Sequence, residues 1–153
     1  MILAGIATGL DIEHLKYWDL RELFWDRQSF HADFTAKALY PRAVRVSLTD
    51  VIDLNITDEV LYSTAREKHE FQKGHKPFES GNFAYNVKDG QLLARVPAWQ
   101  AERYDKVGGL MHYAFLGLND CIEAISHQKP QFLFVELSER QLEPKPSASP
   151  SSA

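Results

Sequence analysis

The sequence predicts an α+β domain. Three observations carry that expectation: an apolar opening stretch, segments whose apolar residues recur at helical spacing, and shorter stretches rich in β-branched residues that alternate. The expected architecture is a sheet of about five strands, antiparallel or mixed, with helices from both halves of the chain packed on it. A chain of 153 residues suits one domain with a real core, assigned to residues 1–138. Residues 139–153 run into EPKPSASPSSA and hold too few apolar groups to offset the entropy of ordering, so a Ser/Pro-rich flexible tail is expected there.

Each element has its own signal. The segment ILAGIAT reads as a buried first strand and not as a leader, because MILAGIATGL lacks a basic start and runs into the acidic DIEH. Thr8 can cap a helix with Asp11 three residues on, extending to about Arg27. Ser29 can cap a second, short helix through FHADFTAKAL, before AVRVSLTDVIDL shows the alternation of a strand followed by a turn. Thr57 can cap a third helix, DEVLYSTAREKHEFQ, that Gly74 would end.

The stretch NFAYNVKDGQLLARVP reads as a β-hairpin turning at Asp89–Gly90. Pro97 suits a helix's first turn, AWQAERYDK continues it, and Gly108–Gly109 interrupts it. In LMHYAFLGLNDCIEAISHQ, residues Met111, Ala114, Phe115, Leu118, Cys121, Ile122 and Ile125 share one face at helical spacing, predicting a last helix packed on the sheet. QFLFVEL closes the domain as a strand. Pro41, Pro77, Pro97 and Pro130 mark element boundaries.

Composition narrows the function classes. Hydrophobic residues at 44% and charged ones at 25%, with a mean hydropathy of −0.33, describe a soluble protein without a membrane span. A net charge of −4 and a pI near 5.8 give no basic footprint, so nucleic acid is not the expected partner. The lone Cys121 has no disulfide partner within the chain and sits among apolar residues, pointing to a reducing, cytoplasmic setting and an inert core thiol.

Three motifs suggest chemistry. HEFQKGH (69–75) resembles half of a zinc motif. Its histidines are six apart, which on a continued helix separates them by about 120° and about 9 Å, so they do not share a metal. No metal and no cofactor are expected. In DCIEAISH, Asp120, Glu123 and His127 fall at helical spacings of three and four, which could serve acid–base work, but a solvated helix face is the expected reading. His31 and Asp33, two apart, would diverge on a helix and form no dyad.

The most informative constellation lies in DIEHLKYWDLRELFWDR. On a helix, Ile12, Leu15, Leu20, Leu23 and Phe24 form the core stripe, and His14, Trp18, Arg21 and Trp25 form a second stripe nearly opposite. Trp and Arg are enriched at binding hot spots. The expectation is therefore a protein partner, or self-association, engaged through this aromatic helix face by a non-enzymatic intracellular module acting as a regulator or inhibitor. Burial of the stripe under another helix is the competing reading.

The segment PRAVRVSLTDVIDLNITDEVL resembles the part of the RES-domain toxins in which a strand leads into an LDLTD-like turn. That resemblance implies, as runner-up, a small enzyme acting on a nucleotide or NAD-like ligand. The following KHEFQKGHKPFESGNF departs from the family's pattern, so no catalytic residue is carried over.

Overall fold

The computed structural model describes residues 2–12, 14–58, 83–118 and 120–142. Its organising feature is alternation. Phe30, Ala32 and Phe34 all turn to one side of β3 (Ser29–Thr35) and are fully buried, as period-2 geometry requires. Val44, Val46 and Leu48 do the same on β4 (Arg42–Leu48). β3 pairs antiparallel with β2 (Asp19–Asp26) on one side and β4 on the other, and β4 pairs with β9 (Gln131–Glu136). The resulting four-stranded sheet has the order β2-β3-β4-β9.

The other sheet has five strands in the order β1-β6-β7-β8-β5, formed by β1 (Ile2–Gly5), β5 (Val51–Asp58), β6 (Ala84–Lys88), β7 (Met111–Leu116) and β8 (Asp120–Ser126). All its pairings are antiparallel. Apolar side chains of both sheets merge in one core that includes Phe30, Phe34, Val46, Phe83, Phe115 and Ile122. Phe30 meets Phe115 edge-on at 5.8 Å, and Phe34 lies 4.7 Å from Phe83, close to the separations aromatic pairs prefer.

The opposite face of the five-stranded sheet carries a second cluster of Leu3, Tyr85, Val87, Ala114, Leu116 and Cys121. The short helix Gln91–Ala94 packs on β7 and β8 there and buries Leu92. A helix at Ala98–Ala101 continues into a 3-10 turn at Glu102–Val107, and the chain then bends through Gly108 and Gly109, both at positive φ.

Among the described residues the chain is thus mostly antiparallel sheet with few short helices, and the expected α+β arrangement of packed helices is corrected there. The supposed first helix is a loop followed by β2. Thr8 still caps a turn, its hydroxyl accepting from the Leu10 N–H at 3.2 Å, while Ile12, Leu15 and Trp18 enter the core from the loop. FHADFTAKAL holds β3, not a helix. The supposed last helix is the β7–β8 hairpin; its helical face divides, with Phe115 and Ile122 in the inter-sheet core and Ala114 and Cys121 in the outer cluster.

The β4, β6 and β9 signals correspond to strands. Asp89 has positive φ, as its turn requires, but a helical turn follows Gly90 in place of a second strand. Residues 139–142, assigned to the tail by composition, form a short helix. Its Gln141 side chain donates to Asp33 Oδ2 at 2.6 Å, and the Leu142 carbonyl accepts from the Tyr40 hydroxyl at 3.0 Å. The Thr57-capped helix, HEFQKGH and residues 143–153 lie outside the described residues. Among the described residues, no helix is long and apolar enough to cross a membrane.

Candidate functional site

The stripe His14, Trp18, Arg21 and Trp25 does not form, because no helix carries it. Trp18 is 1% exposed and packs 4.9 Å from Phe83, so it belongs to the core. His14 is exposed and lies 3.8 Å from Asp11. Trp25 sits at the far end of β2, 49% exposed and stacked on Phe30 at 6.5 Å. Its Cα is roughly 13 Å along the strand from that of Arg21, from four residues of strand rise.

Arg21 is where the functional argument survives. β2 pairs Leu20 with Phe34 but Glu22 with Asp33, so Arg21 is the extra residue of a β-bulge. Bulges bend an edge strand and re-aim a side chain. Here the guanidinium lies 5.6 Å from the centre of the Tyr40 ring, within cation–π reach, with Asp19 3.3 Å from its Nε.

Around it an open cleft of about 350 Å³ is lined by Tyr17, Asp19, Arg21, Thr35, Lys37 and Tyr40. Tyr17 is 60% exposed and Tyr40 43%. Tyr17 adopts a positive φ of 58°, a backbone state uncommon for a bulky residue. The cleft therefore combines two accessible rings with two cations and one carboxylate. Sequence reasoning found Arg21 but missed Tyr17, Lys37 and Tyr40; no spacing rule links three residues on two separate loops, and KYW and ALYP offer only exposed-aromatic hints.

The other sequence candidates resolve differently. Asp120 and Glu123 lie three apart on a strand and so face opposite ways, and His127 lies beyond the strand end, 3.8 Å from Asp50. The three do not converge. Glu123 instead accepts from buried His112 at 2.9 Å and from Asn55 at 3.3 Å. This pair is enclosed: a Cβ at Gly90 would stand 2.5 Å from the His112 ring, so the turn lies directly on the imidazole and leaves a substrate no approach.

His31 and Asp33, expected to diverge, share one face of β3 because strands alternate. Each is already engaged, His31 with the Ser47 hydroxyl at 2.6 Å, and Asp33 with both Arg45 Nε at 2.8 Å and Arg45 Nη2 at 3.0 Å. The bond to Asp33 holds the Arg45 guanidinium above its usual range, against the opposing effect of burial. Burial, helped by the Glu123 charge, pushes the Cys121 thiol up to about 12, with a Thr57 hydrogen bond opposing. A thiol held in that state is not a nucleophile at neutral pH. Among the described residues no cluster of three or more His, Cys, Asp or Glu is placed to hold a metal.

Comparison with protein-family models, curated proteins and solved structures finds no match to this chain. The RES-toxin resemblance therefore gains no support from these comparisons.

Proposed function

We propose that this chain is a non-enzymatic, intracellular protein-binding module, a regulator or inhibitor that engages its partner through the Arg21 cleft. The carrying observation is the grouping of Tyr17, Arg21 and Tyr40 around one open cleft. Tyr and Arg dominate hot spots because they add large contact area and directed hydrogen bonds at low entropic cost. Lys37 beside Arg21 favours an acidic contact on the partner, and Asp19 restrains the guanidinium.

A nucleotide-processing enzyme is less well supported, because the buried acid–base pair His112–Glu123 lies beneath the Gly90 turn and outside the cleft. A cytoplasmic setting suits a single free, buried thiol.

The test is affinity capture from the native host's lysate, with the recovered protein then measured against purified variants. Tyr17→Ala or Arg21→Ala should weaken binding by about 2 kcal/mol or more while unfolding as the wild type does. Undiminished binding by both variants would exclude the cleft, and a captured second copy of this chain would make the module a self-associating one.

A further inference from the structure

We propose that the outer edge of β9 is a homodimer interface, separate from the Arg21 cleft, at which β9 of a second copy adds antiparallel and joins two four-stranded sheets into one. An edge strand presents a row of unpaired N–H and C=O groups, and proteins blunt such edges with bulges, charges or short strands. Among the described residues the other edges are blunted in these ways. β2 carries the Arg21 bulge together with Asp19, Glu22 and Asp26, β5 carries a bulge between Val51 and Asp53 together with Asp53 and Asp58, and β1 is only four residues long.

β9 has none of these features. It pairs with β4 in unbroken register from Gln131 to Glu136, its interior FLFV is apolar, and its one charge, Glu136, stands at the end. Leu133 is 45% exposed and Phe134 38%, and as neighbours on a strand they point to opposite faces. Among the described residues no strand lies on its outer side. The chain leaving β9 turns back across the sheet, where Gln141 reaches Asp33 of β3 and Arg140 pairs with Glu22 of β2. That segment therefore leaves the edge open.

The strand itself selects a second copy as the occupant. Lys129 stands just before it and Glu136 ends it, both exposed, so antiparallel pairing about a twofold axis lays the positive start of each strand beside the negative end of the other. Joining the sheets with their core sides continuous requires that opposed residues share a face. Phe132 and Phe134 lie opposite the buried Val46 and Val44, and Gln131, Leu133 and Val135 take the other face. A register with Leu133 opposite its own counterpart meets the requirement, because Phe132 then opposes Phe134 and Gln131 opposes Val135. The contact is self-complementary, as a twofold interface must be. Growth stops at two copies, since β2, the sheet's other edge, is bulged and charged. A contact of six residues a side falls at the small end of specific interfaces, so a Kd of about 10 to 100 μM is expected.

The test is sedimentation equilibrium of the full chain from about 5 to 500 μM, a range spanning that Kd, with amide hydrogen exchange read on β9 at both extremes. A monomer–dimer equilibrium should appear, with β9 amides gaining protection as concentration rises. Leu133→Lys should weaken dimerisation about tenfold or more while far-ultraviolet circular dichroism stays that of the wild type. Glu136→Lys should weaken it about threefold or more, and adding Lys129→Glu to that variant should restore it; this pair of variants decides the matter if Leu133→Lys does not fold. Arg21→Ala should leave the dimer unchanged, which separates this interface from the cleft. The proposal is overturned if the chain stays monomeric throughout, if folded Leu133→Lys dimerises as the wild type does, if the double charge variant is no better than Glu136→Lys alone, if Arg21→Ala abolishes the dimer, or if β9 is already fully protected in the dilute monomer.

Discussion

Replacing Trp18 and Trp25 separately with alanine should move folding stability by very different amounts. Trp18 is 1% exposed, stands against Phe83 at 4.9 Å, and shares that ring with Phe34. An indole removes roughly 200 Å² of apolar surface from water, equivalent to about 5 kcal/mol at about 25 cal/mol per Å². Alanine recovers a small part of this and leaves a cavity, so the expected loss is about 3 to 5 kcal/mol. Trp25 keeps half its surface in water and stacks on Phe30 from an edge strand. Water fills the space it vacates, so its loss should not exceed about 2 kcal/mol.

Urea denaturation followed by far-ultraviolet circular dichroism measures both. Tryptophan emission provides an internal control, because Trp25 and Trp99 are exposed and Trp18→Ala should remove the blue-shifted, quencher-resistant component. If Trp18→Ala fails to fold, Trp18→Phe keeps a ring against Phe83 and should still cost about 1 to 2 kcal/mol. The reasoning is refuted if Trp18→Ala loses less than Trp25→Ala, or if its removal leaves a blue-shifted emission.

Three further outcomes are expected. Truncation after Leu142 should leave stability unchanged, whereas truncation after Ser138 should cost about 1 to 3 kcal/mol, since it removes the Gln141 bond to Asp33, the Tyr40 bond to Leu142 and the Arg140–Glu22 pair; chemical denaturation of both forms checks this. Gly90→Ala should destabilise by about 1 to 3 kcal/mol, because its Cβ would lie 2.5 Å from the His112 ring and 2.8 Å from Val87 Cγ1, read as a shift in urea midpoint. The Cys121 thiol is raised from 9.0 to about 12 in the folded chain, so its contribution is complete below pH 9 and is lost as pH climbs toward 12. Stability should fall there by about 1.4 kcal/mol per pH unit as the unfolded chain alone ionises, and Cys121→Ala should flatten the slope between pH 9 and 10.

How much of this was legible depends on what each segment buries. RAVRVSL and QFLFVEL declared themselves as strands through alternation and β-branched content. FHADF carried the same signal, since Phe30, Ala32 and Phe34 alternate, but the following TAKAL drew it toward a helix. LMHYAFLGLNDCIEAIS misled for another reason. Strands β7 and β8 are buried on both faces, so their residues are largely apolar without a period, and a continuous apolar run fits either template. Gly117 and Asp120 were the local signs of a hairpin, where the Gly117 N–H donates to the Asp120 carbonyl at 2.9 Å. The Arg21 cleft was half visible: its guanidinium was named, but its ring partners come from loops whose meeting is set by tertiary structure.

The most instructive error lies in DLRELFWD. Leu20 and Leu23 face the same core, opposite Phe34 and Ala32, yet they are three residues apart. An undisturbed strand places same-face residues two or four apart. The bulge at Arg21 adds one residue and converts that interval to three, so Leu20, Leu23 and Phe24 imitate a helical i, i+3, i+4 stripe. The residue that disguised the strand is also the one the bulge re-aims over Tyr40. An edge strand with regular pairing would have kept strict alternation, and Arg21 would have continued the pleat. Local rules fail here because the backbone departs from regular pairing at Arg21, the position that presents the side chain proposed to bind, and bulges are a common way to re-aim such a side chain.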